Sequence, residues 1–227
     1  MARGPTYRVA FRRRREGKTD YKARRALIVS KLPRVVTRPS LKHMNVQVVE
    51  ATPSGDKIIA SANSQELQTY GWQAPCGNVP SAYLTGLLCG RRAATQNLRK
   101  VVADIGLSQP TKGARVFAAL KGVVDAGVEV PHDSEKLPDE KRMTGQHIAT
   151  YAKHLATSDS ERYHTAFSKY LQAKLAPEDL AEHFAAAREK ITGQTGEEKQ
   201  KKKSRSKEGR SKTTARRKRS RKKSEKT

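Results

Sequence analysis

The positive charge of this chain is gathered at its two ends, and that segregation restricts the possible folds more than any other feature. Residues 1–42 hold 14 Lys and Arg against Glu16 and Asp20, and residues 197–227 hold 16 against four Glu, a net +12 at each end. Residues 43–196 hold 17 basic and 16 acidic side chains, a net +1. A run of like charge repels itself and buries too little apolar area to offset its ordering entropy. The core is expected to come mainly from the near-neutral middle. The ends are expected to be arms that are disordered when free and order on a polyanion as its counterions are released.

The two arms differ in kind. The first places Tyr7, Phe11 and Tyr21 among Arg3, Arg8, Arg12, Arg13, Arg14, Arg15, Lys18, Lys22, Arg24 and Arg25. Aromatic faces stack on unpaired bases while guanidinium forks grip phosphates, which favours RNA over duplex DNA. The second arm, from Glu197, is low in complexity and has no aromatic residue. It should strengthen binding without making it selective. On charge alone such a tail would also suit a chromatin-type protein that compacts nucleic acid without specificity.

Between the arms the pattern is α/β. Val35 and Val36, and then Met44, Val46 and Val48, read as two strands. Thr52 to Asp56 supplies turn chemistry, and Lys57 to Ser61 is the returning strand. Asn78 is placed to cap a helix running to Lys100, with Pro80 in its first turn and Gly86 and Gly90 inviting close approach by a neighbour. Val101 to Leu107 reads as a strand, Val116, Phe117, Leu120, Val123 and Val124 as one helical stripe, and Val128 to Pro131 as a further strand after Gly127. This strand–helix–strand order points to a βαβ unit. A linker (His132 to Arg142) then leads to helices marked by Ile148, Tyr151 and Leu155, and by Leu180, Phe184, Ala187 and Ile191 after Pro177. The expected organisation is an arm over 1–31, a body over 32–131, linker and helices over 132–196, and a tail over 197–227.

Signals for catalysis are weak. Gly17-Lys18-Thr19 resembles the end of a phosphate-binding loop, but position 12 is Arg where that motif needs Gly. His147 and His154 lie seven apart with no third ligand at metal spacing, and no H-E-x-x-H, G-x-S-x-G or C-x-x-C occurs. Asp104, alone on its strand, reads as a paired structural carboxylate, and Cys89 as a small buried hydrophobe. An α/β enzyme would need polar groups converging around Asp104. Trp72 is read as a core anchor or as a residue facing a partner. Thr111, Lys112 and Arg115 open a helix where backbone N–H groups suit an anion, or they form a solvated turn. The chain has no run of about 18 apolar residues and no apolar leader at Met1 to Arg15. With only Cys76 and Cys89 it is expected to be intracellular, without metal or cofactor.

The blocks Thr6–Arg25, Ser81–Ala93, Val101–Gly127 and Val130–Ala152 closely resemble the archaeal 5S-rRNA-binding family of the large ribosomal subunit, protein eighteen in universal naming. The likeness runs from about Ala2 to Ile191, and the tail departs from it. The resemblance implies a mixed sheet with packed helices of the ribonuclease H-like kind, without nuclease activity. It implies 5S rRNA and 23S rRNA as partners in the central protuberance, beside neighbouring ribosomal proteins in the cytoplasm, with the N-terminal arm between the two RNAs. By the same match, Arg34, Arg38, Lys42 and His43 belong to the RNA-facing side, with Thr111, Lys112 and Arg115 as a weaker set.

Overall fold

The computed structural model describes residues 4–193. Expectations for Arg3 and for the basic tail lie outside the described residues. Two helices come first, α1 (Arg12–Arg15) and α2 (Tyr21–Val29), then three strands, β1 (Arg34–Pro39), β2 (Met44–Thr52) and β3 (Gly55–Asn63). Helix α3 (Val79–Ala94), strand β4 (Val102–Asp104) and helix α4 (Arg115–Asp125) follow. Helices α5 (Glu140–Met143), α6 (Gln146–Ser158), α7 (Ser160–Ala166), α8 (Ser168–Gln172) and α9 (Leu180–Gly193) complete the described chain.

The strands form one mixed sheet in the order β3-β2-β1-β4, antiparallel except for the β1/β4 pair. The hairpin lies where the alternating valines and the Thr52–Gly55 turn put it. A register shift lets Val48 face Ala60 while Val49 faces Ile58. On one side Val35, Met44, Val46, Val48, Ala60 and Ala62 enter the core. Helix α3 lies against them and is buried almost along its whole length, because α4, which also meets β1, and α5 and α9 pack against it as well.

Small residues make that stack possible. A Cβ on Gly86 would stand 2.0 Å from the Ala119 carbonyl oxygen, and one on Gly122 would stand 2.2 Å from that of Tyr83. Asn78 caps α3, accepting from the Ser81 N–H at 2.9 Å. The helix ends at Ala94 and not near Lys100, because Asn97 takes a left-handed φ of 60° and turns the chain toward β4.

Two strands are shorter than the apolar runs suggested. Val101 to Leu107 yields three strand residues, and Val128 to Pro131 yields one parallel bridge, Lys100 to Glu129. The βαβ unit is thus present in outline, with its last strand reduced to a single contact. Trp72 is fully buried and belongs to the core. The expected linker holds a short 3-10 turn (Ser134–Lys136) and α5.

On α6 the inward residues are Ala149, Ala152 and the expected Leu155, with Ile148 packed against the core, while Tyr151 is exposed. Helix α9 buries the expected Leu180, Phe184, Ala187 and Ile191. Both helices join the same core as the sheet. Helices α7 and α8 carried no sequence signal, since one buries no residue and the other only Tyr170.

Candidate nucleic-acid interface

Among the described residues, no second helical layer covers the centre of the sheet face opposite α3. Arg34, Val36 and Arg38 alternate out of the core on β1, with Gln47 and Val49 beside them on β2 and Asp104 on β4. Helix α2 stands at one end of this face, and the space between them is a hollow of about 1130 Å³. The arm is therefore not without structure: α1 and α2 are helical, and α2 is fastened to the sheet. Asp20 caps α2 by accepting from the Lys22 and Ala23 N–H groups at 2.8 and 3.2 Å. Arg24 donates to both carboxylate oxygens of Asp56, at 2.9 and 2.8 Å.

Charge on the floor of the hollow is organised as a chain of pairs. Arg34, 2% exposed, donates to Asp104 at 2.8 Å and to Asp56 at 3.0 Å. Arg38 donates to the other Asp104 oxygen at 2.8 Å. Three guanidinium groups thus meet two carboxylates, and the excess is positive. Burial alone would raise the Asp56 carboxyl, but hydrogen bonds and charge from Arg24 and Arg34 hold it below the usual carboxylate range. The Asp56 hydrogen bond likewise raises the Arg24 guanidinium above its ordinary value.

Of the other arm residues, Arg13, Lys18 and Tyr21 also line the hollow. Arg13 donates from Nε to the Thr19 hydroxyl at 2.9 Å, Lys18 pairs with Glu16 at 3.0 Å, and Arg12 reaches the same carboxylate at 3.8 Å. Gly17-Lys18-Thr19 follows a four-residue helix and not a strand. The Phe11 and Tyr21 rings are 5.2 Å apart, with Phe11 largely exposed. Tyr7, Arg8, Arg14, Arg15, Lys22 and Arg25 are exposed.

A second group gathers at the far end of β1. Lys42 is exposed, and His43 lies 3.4 Å by Nδ1 from the Ser64 hydroxyl. Both border a smaller hollow of about 420 Å³ together with Lys169. Arg115 turns toward this loop and spends one nitrogen on the Ser40 and Gly77 carbonyls, each at 3.0 Å. Thr111 and Lys112 are exposed beside it. The N–H groups of Gly113 and Ala114 are taken by the Lys136 and Thr111 carbonyls, so two donors of an anion cradle at this helix start are already in use.

Sequence reasoning missed Asp56 and Gly106. Asp56 was read only as a turn residue, and its partners are 32 and 22 positions away. Nothing local marks such a pairing. Gly106 sits beneath Arg38 with a positive φ of 64°, and as a lone glycine in a loop it carries no mark in the sequence. Elsewhere, burial pushes the Cys89 thiol up to about 12, as expected of an inert core cysteine.

A mixed α/β body that leaves one sheet face open and lines it with arginine, beneath a basic and aromatic arm, defines a polyanion-binding protein. The family profile described as "Ribosomal large subunit proteins 60S L5, and 50S L18" matches residues 5–100 and 95–133, more than half of the chain, and the chain belongs to this family. It is thus an RNA-binding structural component of the large ribosomal subunit, working in translation among ribosomal RNA and ribosomal-protein neighbours.

Proposed function

We propose that the chain binds 5S rRNA and fastens it to 23S rRNA in the central protuberance, as a structural element and not as a catalyst. The observation that carries this reading is the hollow between α2 and the open sheet face. It is lined by Arg13, Lys18, Arg24, Arg34 and Arg38 and rimmed by the Tyr21 ring. Phosphate contacts from the rim would fix orientation, while exposed Tyr7 and Phe11 offer faces to unpaired bases.

The folded body supplies the platform, and α2 carries the arm out from it. Lys42, His43, Thr111 and Lys112 extend the basic surface along the far end of β1. In this reading Arg115 supports that surface by holding the Ser40 and Gly77 carbonyls. Asp104, the only carboxylate suggestive of chemistry, is spent on two arginines and the Gly106 N–H, which favours a structural role.

A competition assay tests the proposal. Labelled 5S rRNA is displaced by unlabelled 5S rRNA, transfer RNA or duplex DNA at about 0.15 M salt, where exposed charges are well screened. The expected result is that 5S rRNA competes better by orders of magnitude. Equal competition by all three would instead mark a non-specific compactor of nucleic acid.

A further inference from the structure

We infer that Arg38 presents the flat face of its guanidinium as a stacking platform for an unpaired RNA base, instead of following a phosphate; this rests on the chain's being an RNA binder. Arginine on an RNA-facing surface is usually a mobile fork. Here the fork is fixed. Nη1 donates to the Thr37 carbonyl at 2.9 Å and to the Asp104 carbonyl at 2.8 Å, and Nη2 donates to Asp104 Oδ1 at 2.8 Å. Three of the five donors an arginine owns are spent on protein oxygens. Asp104 cannot yield, because its other oxygen holds buried Arg34 and its Oδ1 also accepts from the Gly106 N–H at 3.0 Å.

The plane is also supported from one side. A Cβ built on Gly106 would lie 2.7 Å from Cζ of Arg38 and 2.9 and 3.0 Å from its two Nη atoms. An atom standing over Cζ at that height would be about 3.0 Å from each Nη, given C–N bonds of about 1.33 Å. The Gly106 backbone therefore underlies one face of the guanidinium, and a side chain at 106 would displace it. The arginine side chain is nonetheless 46% exposed, and with one face covered the opening belongs to the other face and the edge. Leu107, 59% exposed, follows Gly106 in the chain, lines the same hollow and gives a base an apolar edge.

A delocalised cation held flat, backed by glycine and open above, suits a π-face. It can serve any base, so it adds affinity for unpaired RNA more than sequence preference. Gly106 and Asp104 act through Arg38 as positioning residues.

Arg38→Lys separates the two possible ligands, because lysine keeps the charge and remains a phosphate binder but has no plane. Binding of wild type and variant is measured with 5S rRNA and with inorganic polyphosphate, which has phosphates and no bases. The inference expects about tenfold weaker RNA binding in the variant, in the range of one lost stack. Polyphosphate binding and the salt slope should be unchanged. RNA affinity kept within about twofold, or equal losses on both ligands by a folded variant, would overturn it.

A second measurement needs no variant. On adding 5S rRNA to the wild type, the Arg38 Nε–H resonance should move upfield under the ring current of a base. A downfield move, as for a donor to phosphate, or no move would refute the idea. The 5S rRNA reading fails separately, if the wild type prefers 5S rRNA no more than transfer RNA.

Discussion

A guanidinium as deeply buried as that of Arg34 survives only where carboxylates surround it, since desolvating a charge costs several kcal/mol that pairing must offset. Asp104 and Asp56 do this from two different elements, so the pair network ties β1 to β4 and to the tip of the hairpin. Such a network contributes less to net stability than to fixing where the elements lie. Its floor is rigid, which a stacking platform at Arg38 requires. The glycines of α3 and α4 act in the opposite way, by having no side chain at all. Gly86→Ala would press a methyl into the Ala119 backbone, which has no rotamer to yield. Overpacking of cores typically costs about 1–3 kcal/mol, and a clash against backbone belongs at or above the top of that range. Urea unfolding should show the midpoint of Gly86→Ala falling accordingly. Gly193→Ala, where a Cβ meets nothing, should leave it unchanged.

At the scale of elements, one imidazole adds a polar contact to the apolar docking of α9. His183 stacks on Trp72 with ring centroids 5.2 Å apart, and its Nε2 accepts the Gln73 N–H at 3.0 Å. An accepting nitrogen must be unprotonated. Burial, reinforced by the charge of Lys190, holds His183 below the ordinary histidine value. A folded-state pKa below the unfolded one means that the contribution is complete above about pH 6.5 and is lost as pH falls through the folded value. Trp72 is the only tryptophan, so its fluorescence reports this contact directly. Thermal unfolding followed by that signal should fall in midpoint from about pH 6.5 downward. In His183→Gln, which keeps an acceptor but does not titrate, this dependence should flatten; an unchanged slope would assign it elsewhere. The elements themselves were legible to unequal degrees. The hairpin, the cap at Asn78, the α4 stripe and the inward face of α9 follow from period and turn chemistry. The short β4 and the helices α7 and α8 did not, because their form is set by partners distant in sequence. The inward face of α6 was legible at Ile148 and Leu155 but not at Ala149 and Ala152, whose small side chains carry little hydrophobic signal. For the interface, residue types were legible from charge and aromatic interleaving. Asp104 was legible as a paired carboxylate on its strand, but which arginines it holds, and the parts played by Asp56 and Gly106, carry no local mark.

For the whole molecule, the separation of charge suggests a division of labour that salt can resolve. Residues 1–25 hold ten Lys and Arg with three aromatic rings, and residues 197–227 hold 16 Lys and Arg with none. Each phosphate neutralised contributes about −0.7 to −0.9 to the slope of log K against log salt, whichever segment supplies the cation. Selectivity, by contrast, needs groups that register shape and unpaired bases, and in the proposed function these lie on the arm and on the sheet face that α2 borders. Deleting 197–227 should therefore make the slope shallower while leaving the preference for 5S rRNA over transfer RNA intact. Deleting 1–25 removes Tyr21 and the Arg24 attachment to Asp56, and should bring that preference close to unity even where residual affinity persists. Filter binding across about 50–200 mM salt, a range over which phosphate contacts lose orders of magnitude in affinity, reads both quantities from one titration series. If loss of the tail alone abolished the preference, recognition would have to reside in the lysine-rich segment. The arginine-lined sheet face would then be scaffold and not interface.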